Sequence, residues 1–227
     1  MRDLELSATV FLPTDFIGSG KFLAHDRIFW LLKIAAEKQI SIRAAPAEKM
    51  PQVVAKINEH SDAEKICDVL VRLPNDLRET AIAELEKVIG EEAIEYPREY
   101  ELLNWKQINE MQNAGIDFGF HTVNHTILPL ESDAAFETEI VAGKRAIEKH
   151  LNRKITSFEY PNGAYNDRVK RAVAQAGFEI AVTTERKINF PRKSDALVLG
   201  RISLCEESTR GIDGKYSPPV AKLRLGI

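Results

Sequence analysis

The 227 residues carry 31 Lys and Arg against 34 Asp and Glu, a net charge of -3, and 44% of the side chains are hydrophobic. So even a balance leaves no basic stripe or cationic run, which excludes a nucleic-acid partner and a membrane-surface role. The longest apolar stretches fall far short of the roughly 20 residues that span a bilayer, and "MRDLELSATVFLP" has neither the basic head nor the cleavage site of an export signal. The chain as written therefore reads as soluble and cytoplasmic, and it is long enough for a core of its own.

The first element is "SATVFLP", residues 7–13, a short apolar run closed by Pro13 that reads as a buried strand. From residue 26 to 95 the pattern changes. "DRIFWLLKIAAEK", "PQVVAKINEH", "DAEKICDVLVRL" and "NDLRETAIAELEKVIG" each repeat apolar residues at helical spacing, with Ser61 and Asn75 as N-caps and Gly90 as a stop. No strand signal and no low-complexity linker interrupts this block. It is read as a helical insertion, at about 22–100, within a single domain spanning 1–227. Cys67 and Cys205 match no metal-binding spacing and read as buried free thiols.

Beyond Asn104 helix and strand alternate. "NWKQINEMQNAG" runs from an Asn104 cap to Gly115, and "IDFGFH" is a strand. "SDAAFETEIVAGKRAIEKHL" starts at Ser132 and aligns Phe136, Ile140, Ile147 and Leu151 on one face. "ITSFEY" is a strand, "NDRVKRAVAQAG" a helix between Asn166 and Gly177, and "FEIAVTT" a strand again. Repeated αβ units with short connections predict a parallel sheet or barrel with helices outside, and in such folds chemistry collects at the carboxyl ends of the strands. Both "HTVNH" and "YPNGAYND" fall at such ends.

His121 and His125 are four residues apart. Along an extended strand they would be about 13 Å apart, too far for one ion. In a helical turn they share a face and can hold a metal at about 2.0–2.1 Å each. Spacing alone leaves open that they are two surface histidines at a strand-loop junction. Pro-Asn-Gly at 161–163 is, by itself, an ordinary turn.

Taken together, "ATVFLPTDFIG", "LNWKQINEMQNAGIDFGFHTVNHTIL", "EIVAGKRAIEKHLNRKITSFEYPNGAYND" and "AVAQAGFEIAVTTE" resemble successive segments of the polysaccharide deacetylase family, the NodB-homology domain of carbohydrate esterase family four. The likeness runs in order through about residues 7–20 and 100–205. It implies an α/β fold, a deformed (β/α) barrel, and a divalent metal, often zinc, used to remove acetyl groups from N-acetylated polysaccharides. It further implies that His121 and His125 are metal ligands, that Thr122 stabilises their loop, and that Tyr160 and Pro161 line the substrate groove. The backbone N–H of Asn162 would serve the oxyanion. Where the family has an arginine this chain has Glu159, and Arg201, in "LGRISL", would anchor a carboxylate or the substrate.

A metal-activated water attacking an amide also needs a carboxylate base and an acid for the leaving amine. The family's Thr-Phe-Asp-Asp-Gly motif supplies the base and the third ligand, and no Asp-Asp pair occurs in this sequence. That motif lies on a strand preceding the one matched by "ATVFLP", so the chain is expected to lack the barrel's first strand and to be weakly active or inactive. The rival expectation is a degenerate deacetylase that binds a glycan or a protein without catalysis. Asp117, in phase with His121 but two pleats away, and Asp15, after the early strand, are poor substitutes. A strand left without its neighbour exposes an edge, and with it the prospect of a homodimer.

Overall fold

A computed structural model describes residues 7–40 and 63–203, together with Lys215 and Ser217. Four strands form one sheet in the order β1 (Thr9–Leu12), β2 (Asp117–Phe120), β3 (Ser157–Glu159), β4 (Ile180–Val182), every pair parallel. Leu199 adds an isolated parallel bridge to Val182. Parallel neighbours need a crossover. α4 (Trp105–Asn113) leads into β2, the helical run 133–151 joins β2 to β3, and α7 (Asp167–Gln175) joins β3 to β4. This is the α/β architecture the alternation predicts, with all four strands ending on the same side.

Phe118, Phe120, Phe158 and Tyr160 are wholly or almost wholly buried, and the Phe178 ring stacks on Phe120 with centroids 5.9 Å apart. Ile108, Ile140, Ile147, Val169 and Val173 close the same core from the helices. α4 begins with a full capping box, Asn104 Oδ1 accepting from the Gln107 N–H while Gln107 Oε1 accepts from the Asn104 N–H. Asn166 caps α7 through the Val169 N–H.

Between β1 and β2 lie α1 (Ala24–Glu37), α2 (Ala63–Val71) and α3 (Asn75–Ile89). They build a second hydrophobic cluster of their own, around Ile28, Leu31, Ile66, Leu70, Ile82 and Leu85.

Several expectations are corrected. β1 is not a buried strand: Leu12 is buried, Val10 and Phe11 are half-buried and Thr9 is exposed, because β1 is the edge of the sheet among the described residues. Asn75 does not cap α3. It is the first helical residue after Pro74, and its side chain accepts from Arg78 instead. The long helix is not uniform either: α5 (Asp133–Phe136) passes into a π segment, Glu137–Ala142, and then α6 (Gly143–Leu151). Cys67 is a half-buried free thiol whose pKa is raised by burial. The helix expected at 51–60, the Ser61 cap and Cys205 lie outside the described residues.

Candidate functional site

The shared polarity of the strands brings three loops together. β2 hands over to His121, β3 to Tyr160–Gly163, and β1 to Pro13–Asp15, whose Thr14 and Asp15 N–H groups donate to the Thr122 and Val123 carbonyls at 3.2 and 3.0 Å. The register Phe120↔Phe158 aligns His121 beside Glu159. His121 Nδ1 lies 2.8 Å from the Glu159 carbonyl oxygen. A carbonyl only accepts, so Nδ1 carries the proton and Nε2 is left with the lone pair, the arrangement that fixes a metal-ligating imidazole.

The two histidines meet through neither a strand nor a helical turn. Thr122 and His125 both adopt left-handed backbone, φ 66° and 53°, and fold 121–125 into a tight loop. Their rings come within 4.7 Å, edge to face. Thr122, fully buried, accepts the Thr126 N–H on its Oγ1 at 3.1 Å. Glu139, from the π segment, holds the loop from outside: its carboxylate accepts from the Val123 and Asn124 N–H groups at 3.1 and 3.0 Å and from the Asn124 side chain at 2.7 Å. Burial is the main reason both imidazoles are hard to protonate. The His121 pKa is lowered and that of His125 falls to about 3, where His121, His25 and Arg78 add to the effect.

Glu159 also faces this site. One carboxylate oxygen is 3.9 Å from His121 Nδ1 and the other is 2.5 Å from Arg201. Arg201 is fixed in turn by its Nε donating to the Thr183 carbonyl at 2.9 Å. Arg201 therefore anchors a carboxylate of the chain itself. Tyr160 and Pro161 are corrections. Both are buried, and Tyr160 donates its hydroxyl to the Leu197 carbonyl at 3.0 Å, so neither presents a wall to a glycan. The reason is the two-residue period of a strand: Tyr160 continues the Phe158 face into the core, and Glu159 takes the other. Read that way, the alternation in "FEY" would have picked out Glu159. Asn162 follows in left-handed backbone, φ 55°, and Gly163 cannot carry a side chain, since a Cβ there would come within 2.5 Å of the Thr184 backbone nitrogen.

The weak substitutes are engaged elsewhere. Asp15 accepts from Lys21 at 2.6 Å and Asp117 from Arg153. His25, from the start of α1, brings its ring within 5.3 Å of His125, a neighbour with no sequence signal beyond its being a histidine. Among the described residues no group of three His, Cys, Asp or Glu side chains is arranged to hold a metal ion. The imidazole pair suits a divalent ion in donor type and tautomer, but among the described residues it is an incomplete ligand set.

Parallel strands with their loops gathered at one end define an α/β protein, and the imidazole pair is tied down at the strand carboxyl ends. Residues 71–181 match the family model of polysaccharide deacetylases. YxkH of Bacillus subtilis (strain 168), whose name assigns it to the polysaccharide deacetylases, is 29% identical over 83 residues, covering 37% of this chain and 30% of that protein. A peptidoglycan-N-acetylglucosamine deacetylase of Bacillus cereus is 31% identical over 72 residues, 32% of this chain and 33% of that one. The matched segments thus span about a third of the length of these curated relatives. The solved Streptococcus pyogenes deacetylase PplD is 20% identical, with 86% of this chain and 88% of that one covered at a TM-score of 0.43.

Proposed function

We propose that the chain is a homologue of metal-dependent N-deacetylases acting on N-acetylated glycans such as peptidoglycan, and that His121 and His125 form two positions of its metal site, with zinc as the ion. The observation that carries this reading is the imidazole pair itself: rings 4.7 Å apart, held neutral by burial, with His121 Nδ1 committed to a carbonyl. A bound divalent ion would polarise the acetamido carbonyl and acidify a water. Around it, Thr122 and Glu139 hold the loop, Glu159 and Arg201 set the position of His121, and the Asn162 backbone N–H is the candidate donor to the oxyanion.

Among the described residues no third ligand joins the pair, and the sequence contains no Asp-Asp pair to supply it together with a general base. On its own the chain should therefore bind zinc weakly and release little or no acetate. Zinc titration by calorimetry is expected to give weak uptake that His121→Ala and His125→Ala each abolish. Uptake untouched by both substitutions would refute the ligand assignment. Tight stoichiometric zinc together with sustained acetate release from an N-acetylated glycan would refute the incompleteness. The second reading, glycan or protein binding without catalysis, draws its support from the missing third ligand among the described residues. It predicts glycan binding that is indifferent to zinc.

A further inference from the structure

Arg78, on α3, is 3% exposed. One terminal nitrogen donates to Asn75 Oδ1 at 2.6 Å, while Nε is buried with no hydrogen-bond partner. Glu79, Glu131 and Glu139 lie close enough to act on its charge, but each is bonded elsewhere: Glu79 to Arg27, Glu131 to the Asn75 N–H, and Glu139 to the histidine loop. A guanidinium buried without a bonded anion is a destabilising arrangement, and burial accordingly lowers its pKa.

The same side chain lines a cavity of about 60 Å³ shared with His25, His125 and Asn162, the remaining walls being aliphatic. No Asp or Glu lines it, so the Arg78 guanidinium faces the space without an acceptor of opposite charge, while His25 lies 3.6 Å from Asp26 outside the lining. The space equals about two water molecules at roughly 30 Å³ each, enough for a carboxylate group and too small for a sugar ring.

We propose that this cavity binds a carboxylate group, with Arg78 as its counter-ion and His25 and His125 as flanking donors. The carboxylate comes either from an acidic substituent on the glycan, whose ring stays outside, or from a free small carboxylate. The first source rests on the deacetylase reading, whereas the cavity and its charge do not. The helical block would then read an anionic sugar next to the histidine pair.

The test uses the 227-residue chain in EDTA, so that failure of zinc binding cannot be mistaken for failure here. Formate, glucuronate and neutral N-acetylglucosamine are titrated at constant ionic strength while the His25 and His125 ring protons are followed by NMR. Saturable shifts with formate or glucuronate, none with N-acetylglucosamine, and an affinity at least about tenfold lower in Arg78→Met are expected. Binding of glucuronate identifies the sugar-borne source, and binding of formate alone identifies the free one. The apolar substitution removes an unpaired buried charge, so it should fold. If it does not, a rise in the wild-type melting temperature with formate, and not with chloride, is the second readout. No saturable shift in the folded wild-type chain, or equal affinity in Arg78→Met, overturns the proposal.

Discussion

His125 couples the site to pH. Its folded pKa of about 3 lies below the ordinary 6.5 because protonation would place a charge in a buried loop beside His121, His25 and Arg78. Between those two values the unfolded chain binds a proton that the folded chain refuses, so stability rises with pH. The contribution is complete above about pH 6.5 and is lost as pH falls toward 3, at up to about 1.4 kcal/mol per unit for one such group. Melting temperatures measured in EDTA from pH 7 to pH 4 should fall steeply, and His125→Ala should flatten that slope. A second expectation concerns Glu159. Its carboxylate favours the charged form of His121 and pairs with Arg201. Glu159→Gln leaves the backbone carbonyl bonded to Nδ1 but removes the charge. The His121 pKa should drop further by NMR titration, with a stability loss of about 1 kcal/mol by denaturant melting.

At the level of elements, the histidine loop depends on a helix that is not purely α. The π segment Glu137–Ala142 presents Glu139 to the loop, and Gly143, at its end, lets the helix come close. A Cβ at Gly143 would lie 2.5 Å from the Phe120 ring and 2.6 Å from the Val123 side chain. Single π turns inside α-helices recur at functional sites because they re-aim side chains that the α period would point elsewhere. Glu139→Ala would leave two loop N–H groups without their acceptor. A loss of about 1–3 kcal/mol in urea unfolding is expected, together with faster amide exchange at Val123 and Asn124. Unchanged exchange there would show that the loop holds its own shape.

For the molecule as a whole, the described residues form two hydrophobic clusters. The sheet and its helices form one and α1, α2 and α3 the other, and Asn75 bonding to Glu131 at 2.7 Å is one of the links between them. In this arrangement α1 and α3 bring His25 and Arg78 to the cavity beside His125. β1 is the sheet's edge among the described residues, a surface suited to strand pairing between copies. Light scattering across a concentration series is expected to show self-association that Thr9→Lys weakens. A strict monomer at high concentration would count against the homodimer.

The alternating periods, the caps at Asn104 and Asn166 and the glycine stops are local signals. They therefore fixed the order of elements and the parallel sheet from the sequence, and with the sheet the end on which His121, His125 and Asn162 gather. What the sequence could not supply was every relation made across the chain. The left-handed turn that brings two imidazoles face to edge depends on Thr122 and His125 leaving the helical region, which no period signals. The burial of Tyr160, the bond from Arg201 to Glu159 and the approach of Arg78 join residues 37, 42 and 47 positions apart, measured from Tyr160 to Leu197, Glu159 to Arg201 and Arg78 to His125. Such contacts are decided by register and packing, because only folding brings those groups within reach of one another.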